Sequence, residues 1–193
     1  FSYRASVFNT TEKNRFVVLV VTFALKENGE PKIAYRDLRD FFDERNQSKP
    51  TLAETRAAVW HIRAAKSMVI DESDPNSRSA GSFFKNPVVT KEKFQRVVEI
   101  AKNSGIVQVP GFAVDDNYQK IPAAWLIEQS GFRKGFRFGD VGISTRHTLA
   151  LVNLGSATAS DVLRFKDEIQ RRVESVFGIQ LKPEPVFVGF RNE

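Results

Sequence analysis

The sequence predicts an α+β fold. Strand-like apolar segments are mixed with amphipathic helices, and the two do not alternate strictly as they would in a parallel α/β domain. Helix-terminal signals are dense: a capping box at Thr51–Glu54, a proline at 122, and glycines at 105, 131 and 178. The polar stretch 67–79, rich in Ser, Asp and Pro, reads as a boundary. The expectation is therefore two α+β subdomains, residues 1–66 and residues 67–193.

Phe16–Phe23 is β-branched and aromatic on both faces, which predicts a buried strand ended by the turn signal Asn28-Gly29. Residues 35–46 carry Leu38, Phe41 and Phe42 at helical spacing, and Gln47–Pro50 breaks that helix. In Thr51-Leu52-Ala53-Glu54 the hydroxyl and the carboxylate can satisfy each other's orphan N–H groups. The helix they open is predicted to run to about Lys66 with Leu52, Val59 and Ile62 inward. Phe94, Val97, Val98 and Ala101 predict a helix over 91–104, with Gly105 as its stop. Pro122 and Gly131 bracket a third, and the glycine-rich run Gly131–Gly142 reads as a flexible surface loop. A short strand is predicted at 149–152. Thr158 or Ser160 then caps a long helix with Val162, Phe165, Ile169, Val173 and Val176 inward, stopped by Gly178. Two short strands near Ile179 and Val186 are expected to end the chain.

The 193 residues are 41% hydrophobic and 27% charged, an ordinary globular balance. No apolar run approaches the roughly 18 residues that a membrane helix needs. Cysteine is absent, which excludes disulfides and thiolate metal sites and fits a cytoplasmic protein. With only His61 and His147, no metal site is expected, and acid–base chemistry falls mainly to carboxylates, hydroxyls, Lys and Arg. The net charge of +6 attracts phosphate, as in nucleotides. Nucleic acid is not expected as a partner, because the phenylalanines fall at core spacing rather than as a stacking surface among clustered cations.

The most distinctive segment is Gly81-Ser82-Phe83-Phe84-Lys85-Asn86-Pro87. Gly81 permits close approach of a ligand to the backbone, and the two Phe rings can anchor the segment in a core. Ser82, Lys85 and Asn86 offer a hydroxyl, a cation and an amide within five residues. The same residues would also suit a strand end followed by a polar turn.

Residues 79–87, Ser-Ala-Gly-Ser-Phe-Phe-Lys-Asn-Pro, resemble the signature of the flavin-dependent UDP-N-acetylenolpyruvoylglucosamine reductases. Further matches follow in family order. Phe1–Ser6 is similar to a Phe-Gly-Tyr-Arg-x-Ser segment, and Arg63–Lys66 to an Arg-x-x-Lys helix end. Ala123–Glu128 resembles an Ala-x-Trp-Leu-Ile helix, and His147–Asn153 a His-x-x-x-Leu-Val-Asn strand. Leu181–Val186 resembles a Leu-x-Pro-Glu-Val ending. The resemblance covers nearly the whole chain and implies the C-terminal portion of such an enzyme. Residues 1–66 would be the tail of the FAD-binding domain, whose N-terminal part is missing here, and residues 67–193 the UDP-sugar domain.

The resemblance implies reduction of UDP-N-acetylglucosamine enolpyruvate to UDP-N-acetylmuramate, for peptidoglycan, with FAD as cofactor and NADPH as hydride donor. Ser82 would donate the proton, and Arg4 would stabilise the charge that develops on the carboxylate side. Glu184 would sit near the same group, either protonated or organising Arg4 or a water. Lys66 and Tyr35 match diphosphate contacts, Tyr3 and Asn86 match other substrate contacts, and His147 matches a uridine-side polar residue. Arg63 and Gly81 are the candidates for cofactor contact.

Two departures from the family pattern stand out. The link from Lys66 to Asp74-Pro75 is longer than the usual Leu-Pro-Asp-Pro, which is expected to loosen the geometry between Lys66 and Ser82. Ser2 and Ala5 replace a usual Gly and Asp beside Tyr3-Arg4. The competing reading is a truncated UDP-sugar-binding module without redox activity. Retention of Ser82, Arg4 and Glu184 opposes it, because a pure binder needs no proton donor.

Overall fold

In a computed structural model, residues 6–190 are described. The chain packs as two compact units, residues 1–56 and 57–193. Five helices and seven short strands confirm the α+β class among the described residues.

The first unit holds a 3-10 turn at Val7–Asn9 and helix α1, Arg36–Asp43, which buries Leu38 and Phe42. Phe41 meets Phe42 edge-on at 5.4 Å and carries the Arg45 guanidinium on its face, 3.6 Å from the ring centroid. The buried strand expected at Phe16–Phe23 does not form. No described residue pairs with that segment, and it is exposed on both faces, with Val17 and Val20 each 81% exposed. β-branched side chains favour extended backbone, but a strand exists only when a neighbour satisfies its ladder of N–H and C=O groups.

Helix α2, Leu52–Ala65, begins as its capping box predicts. The backbone N–H of Thr51 donates to Glu54 Oε2 at 2.7 Å, and the N–H of Glu54 donates back to Thr51 Oγ1 at 3.3 Å. Its inward face is not the expected one: Ala58 is buried, whereas Leu52 and Val59 are exposed.

The second unit holds two antiparallel sheets. Strands β1 (Ser79–Ser82), β5 (Arg137–Phe138), β6 (Val141–Ile143) and β7 (Ala150–Asn153) lie in the order β1-β7-β6-β5. Strands β2 (Val88–Thr90), β3 (Phe112–Ala113) and β4 (Tyr118–Lys120) form a smaller sheet in the order β2-β4-β3. Three helices complete the unit: α3, Lys91–Asn103; α4, Ala123–Gln129; and α5, Ala159–Phe177. The caps follow the sequence signals. The Thr158 hydroxyl and the Asp161 carboxylate form a capping box on α5, and Gly178 ends that helix in the left-handed region at φ 64°. Gly105 and Gly131 also adopt positive φ, just past α3 and α4.

Phe165, fully buried on α5, centres the core. Phe136 stacks on it at 5.9 Å, Phe138 at 5.2 Å, and Phe132 meets it edge-on at 5.9 Å. Around them pack Val97, Ile121, Leu126, Ile127, Ile169 and Val173.

The run Gly131–Gly142 lies mostly at the surface, as expected, but it is not an unstructured loop: it contains β5 and enters β6, where Val141 and Gly142 are buried. A Cβ on Gly142 would lie 2.6 Å from the Phe136 carbonyl oxygen, so this glycine answers to packing. Among the described residues no strand forms near Ile179 or Val186; the β-pairing there is an isolated bridge, Pro183 against Phe84, and Val186 is 86% exposed.

Candidate functional site

Ser82 ends β1, on the edge of the larger sheet. Ser79 pairs with Val152 and Ser82 with Ala150, so three steps along β1 oppose two along β7. The extra residue is a β-bulge, and Gly81 supplies it at φ +78°, a region that glycine adopts without strain. Side chains alternate along a strand, so one inserted residue moves Ser82 to the face opposite the one regular pairing would give it. There the Ser82 Oγ lies 3.2 Å from Nε2 of His147. A Cβ built on Gly81 would meet nothing within 4 Å, so the backbone beside Ser82 is open to approach.

His147 stands in the connection between β6 and β7, which is pinned at several points. The buried Ser144 hydroxyl accepts from the N–H groups of Arg146 (3.1 Å) and His147 (3.3 Å). Ser144 and Ala150 close the turn, with Ser144 N–H donating to the Ala150 carbonyl at 2.9 Å and Ala150 N–H donating to the His147 carbonyl at 3.0 Å. The Thr148 hydroxyl donates to Glu128 on α4. From the 67–79 link, the Asn76 side-chain carbonyl accepts from both the N–H (2.8 Å) and the hydroxyl (3.2 Å) of Thr145. The Asp74 carboxylate in turn accepts from the Asn76 N–H at 2.9 Å. The longer link is thus fastened to the loop that carries His147 rather than left loose.

Burial lowers the pKa of His147 below its ordinary 6.5, and the positive charges of Lys66 and Lys134 lower it further. The imidazole is accordingly held neutral, with two ammonium groups in its field. Lys66 was a sequence candidate. Lys134 was not, because the run that contains it read as an unstructured loop; no local signal marks it, and only the folded turn brings its charge to bear on His147.

Glu184 is tied by its backbone to Phe83, the residue after Ser82. The Lys182–Glu184 segment runs antiparallel to Phe83–Lys85: the Lys85 N–H donates to the Lys182 carbonyl at 2.9 Å, and the Glu184 N–H donates to the Phe83 carbonyl at 2.8 Å. One carboxylate oxygen of Glu184 is shielded from solvent. Phe83 and Phe84, both buried and edge-on at 5.4 Å, anchor this crossing in the core. Gln170 on α5 fixes the approach of the segment by donating to the Leu181 carbonyl at 2.6 Å.

The remaining candidates divide. The Asn86 side-chain carbonyl accepts from the Ala123 N–H at 2.9 Å and so caps α4 from 37 residues away. Arg63 is exposed, and its guanidinium donates to the Met68 carbonyl at 3.3 Å across the end of α2. Tyr35, 81% exposed, precedes α1 in the first unit. Tyr3 and Arg4 lie outside the described residues. Among the described residues no group of three or more His, Cys, Asp or Glu side chains could hold a metal ion, and no helix is long and apolar enough to cross a membrane.

Fold and site together define an α+β domain that sets a hydroxyl at hydrogen-bond distance from a neutral imidazole, beside an open glycine backbone, with the charges of two lysines acting on the imidazole. Residues 74–188 match the family model of the UDP-N-acetylenolpyruvoylglucosamine reductase C-terminal domain. The chain is 42% identical over 194 residues to the UDP-N-acetylenolpyruvoylglucosamine reductase of Thermobifida fusca, covering 98% of this chain and 53% of that protein. Its identity to the reductase of Salinispora arenicola is also 42%, over 98% and 52% of the two chains. For the reductase of Mycobacterium tuberculosis it is 39%, over 98% and 53%. The chain belongs to the UDP-N-acetylenolpyruvoylglucosamine reductase family and contains its C-terminal domain; it spans about half the length of the curated relatives it matches.

Proposed function

We propose that this chain supplies the substrate-binding and proton-donating part of a cytoplasmic oxidoreductase of peptidoglycan synthesis that reduces UDP-N-acetylglucosamine enolpyruvate to UDP-N-acetylmuramate. Family membership supports the reaction class. The observation that carries the reading for this chain is the Gly81 bulge, which turns the Ser82 hydroxyl onto His147 while the Glu184 segment pairs directly beside it.

FAD, re-reduced by NADPH, would supply the hydride equivalent for this chemistry. The residues present fit a cofactor of that kind in one respect, since the open backbone at Gly81 lets a planar ring approach Ser82 closely. Gly81, with the exposed Arg63, is where this chain would touch it. Lys66, with Tyr35 and Tyr3, would bind the diphosphate side of the substrate, where a compact ammonium is an effective partner for phosphate. Arg4 would grip the enolpyruvyl carboxylate with two parallel hydrogen bonds, and Glu184 would order that end of the ligand. Asn86 would position α4 through its carbonyl and leave its amide N–H groups to donate to ligand. Ser82 would hold its proton against the carbon next to the carboxylate and release it as that carbon becomes basic.

The test is direct. Protein loaded with FAD is supplied with NADPH and UDP-N-acetylglucosamine enolpyruvate, and the product is identified by mass spectrometry. Formation of UDP-N-acetylmuramate, dependent on both reagents, is the expected result. Binding of the UDP-sugar without NADPH oxidation would favour the module that lacks redox activity.

A further inference from the structure

We propose that His147 is a positioning residue for Ser82: its Nε2–H donates to the Ser82 Oγ, aims the hydroxyl proton outward, and stabilises the alkoxide left when that proton departs. This rests on the reading of Ser82 as proton donor and assigns His147 a role through Ser82 instead of a uridine contact.

The contact at 3.2 Å admits two hydrogen-bond arrangements. If the serine hydroxyl donated to Nε2, the imidazole would be a base, as in a nucleophilic serine pair, and the proton would point away from any ligand. If Nε2–H donates, the oxygen uses a lone pair and its own hydrogen stays available. The surroundings favour the second arrangement. A histidine base must become an imidazolium, which a neighbouring carboxylate normally stabilises. The charges acting on His147 are instead the cations Lys66 and Lys134, and burial opposes protonation further. An imidazole kept neutral under these conditions is poorly suited to take the serine proton and well suited to donate its own N–H.

The geometry also suits a fixed donor. Ser82 is turned by the bulge, and the His147 loop is held by Ser144, Asn76 and Glu128, so both partners are set by rigid elements. In the step itself the Ser82 O–H bond breaks and a C–H bond forms on the substrate carbon next to the carboxylate. The electron pair of the broken bond stays on Oγ, which now accepts a stronger hydrogen bond from Nε2–H. Water returns the proton to Oγ after product leaves. The imidazole keeps its proton throughout.

The experiment is a double-mutant cycle in the FAD-loaded protein, with steady-state kinetics for UDP-N-acetylglucosamine enolpyruvate. His147→Ala is expected to lower kcat by about 10- to 100-fold, the value of a hydrogen bond to a developing charge, with KM little changed. His147→Gln, whose amide nitrogen can take the Nε2 position, is expected to recover most of that loss. In a Ser82→Ala background, His147→Ala should cost little more. A rise in KM with kcat intact would overturn the proposal and return His147 to ligand contact. Equal losses in both backgrounds would overturn it too, because His147 would then act independently of Ser82. If Ser82→Ala alone were fully active, the proton-donor reading itself would fail, an outcome that the cycle separates from failure of His147.

Discussion

Gly142→Ala should damage this fold although it adds a single methyl group. Gly142 sits in the middle of β6, paired with Arg137 on one side and Val152 on the other. The new Cβ would lie 2.6 Å from the Phe136 carbonyl oxygen and 2.9 Å from Leu154 Cδ1. The leucine can give way by rotating. The carbonyl cannot retreat freely, because it accepts the Ile143 N–H at 2.8 Å and the stacked Phe136 ring lies against Phe165. Overpacking of this kind costs about 1–3 kcal/mol, and a strained hydrogen bond adds up to ~1 kcal/mol. A total of about 2–3 kcal/mol lowers Tm by roughly 4–12 °C in a chain of this size. The assay is thermal unfolding followed by circular dichroism, with Gly155→Ala as control. At Gly155 the nearest atom to an added Cβ is Asp140 Oδ1 at 3.8 Å, an ordinary contact, so that variant should melt within about 2 °C of the parent. If the two variants melt alike, the close approach at Gly142 is not what excludes a side chain there.

Two other predictions concern the site. Asn86→Ala should lower stability by about 1 kcal/mol through loss of the α4 cap, and Asn86→Asp, which keeps the acceptor, should restore it, read by the same melts; equal melting of parent and Ala variant would refute the capping role. His147 adds a pH dependence. Its native pKa is depressed, so the unfolded chain binds a proton more readily; stability is full above the ordinary value of 6.5 and is lost as pH falls through the native value. His147→Gln, which does not titrate, should therefore lose less Tm than the parent between about pH 7.5 and pH 5, and parallel losses would refute the account.

Local signals are legible in the sequence because local forces decide them. The Thr51/Glu54 and Thr158/Asp161 boxes and the stops at Gly105, Gly131 and Gly178 depend on a few neighbouring residues, and each stands where the sequence places it. The spacing of Phe165, Ile169 and Val173 likewise marks the buried face of α5. Partner-dependent features were not legible. Phe16–Phe23 has strand composition, but composition does not supply a ladder. The glycines of 131–142 signal a loop when read by propensity, yet Gly142 is glycine because a carbonyl presses on it. On α2 the apolar Leu52 and Val59 face solvent and Ile62 is half-buried, while small Ala58 is buried.

The candidate site divides along the same line. Ser82 and Glu184 were visible as motif residues, and both fall at one strand crossing. The bulge that aims Ser82 is a matter of register between residues far apart in sequence, and so is its contact with His147, 65 residues away. Lys134 carries no local signal, because what matters is its charge acting on His147, which the folded turn alone creates.

Ser82 is the residue on which the proposed chemistry turns, and the most direct measurement separates chemistry from binding in Ser82→Ala. In FAD-loaded protein, the substrate Kd is taken from titration calorimetry and product formation is followed with NADPH in excess. The predicted result is a Kd close to the parent's, unchanged flavin reduction by NADPH, and product formation slower by about 10²- to 10⁴-fold, the usual contribution of a positioned proton donor. Product formation at the parent rate would contradict the central claim and leave Ser82 as the end of a bulged strand.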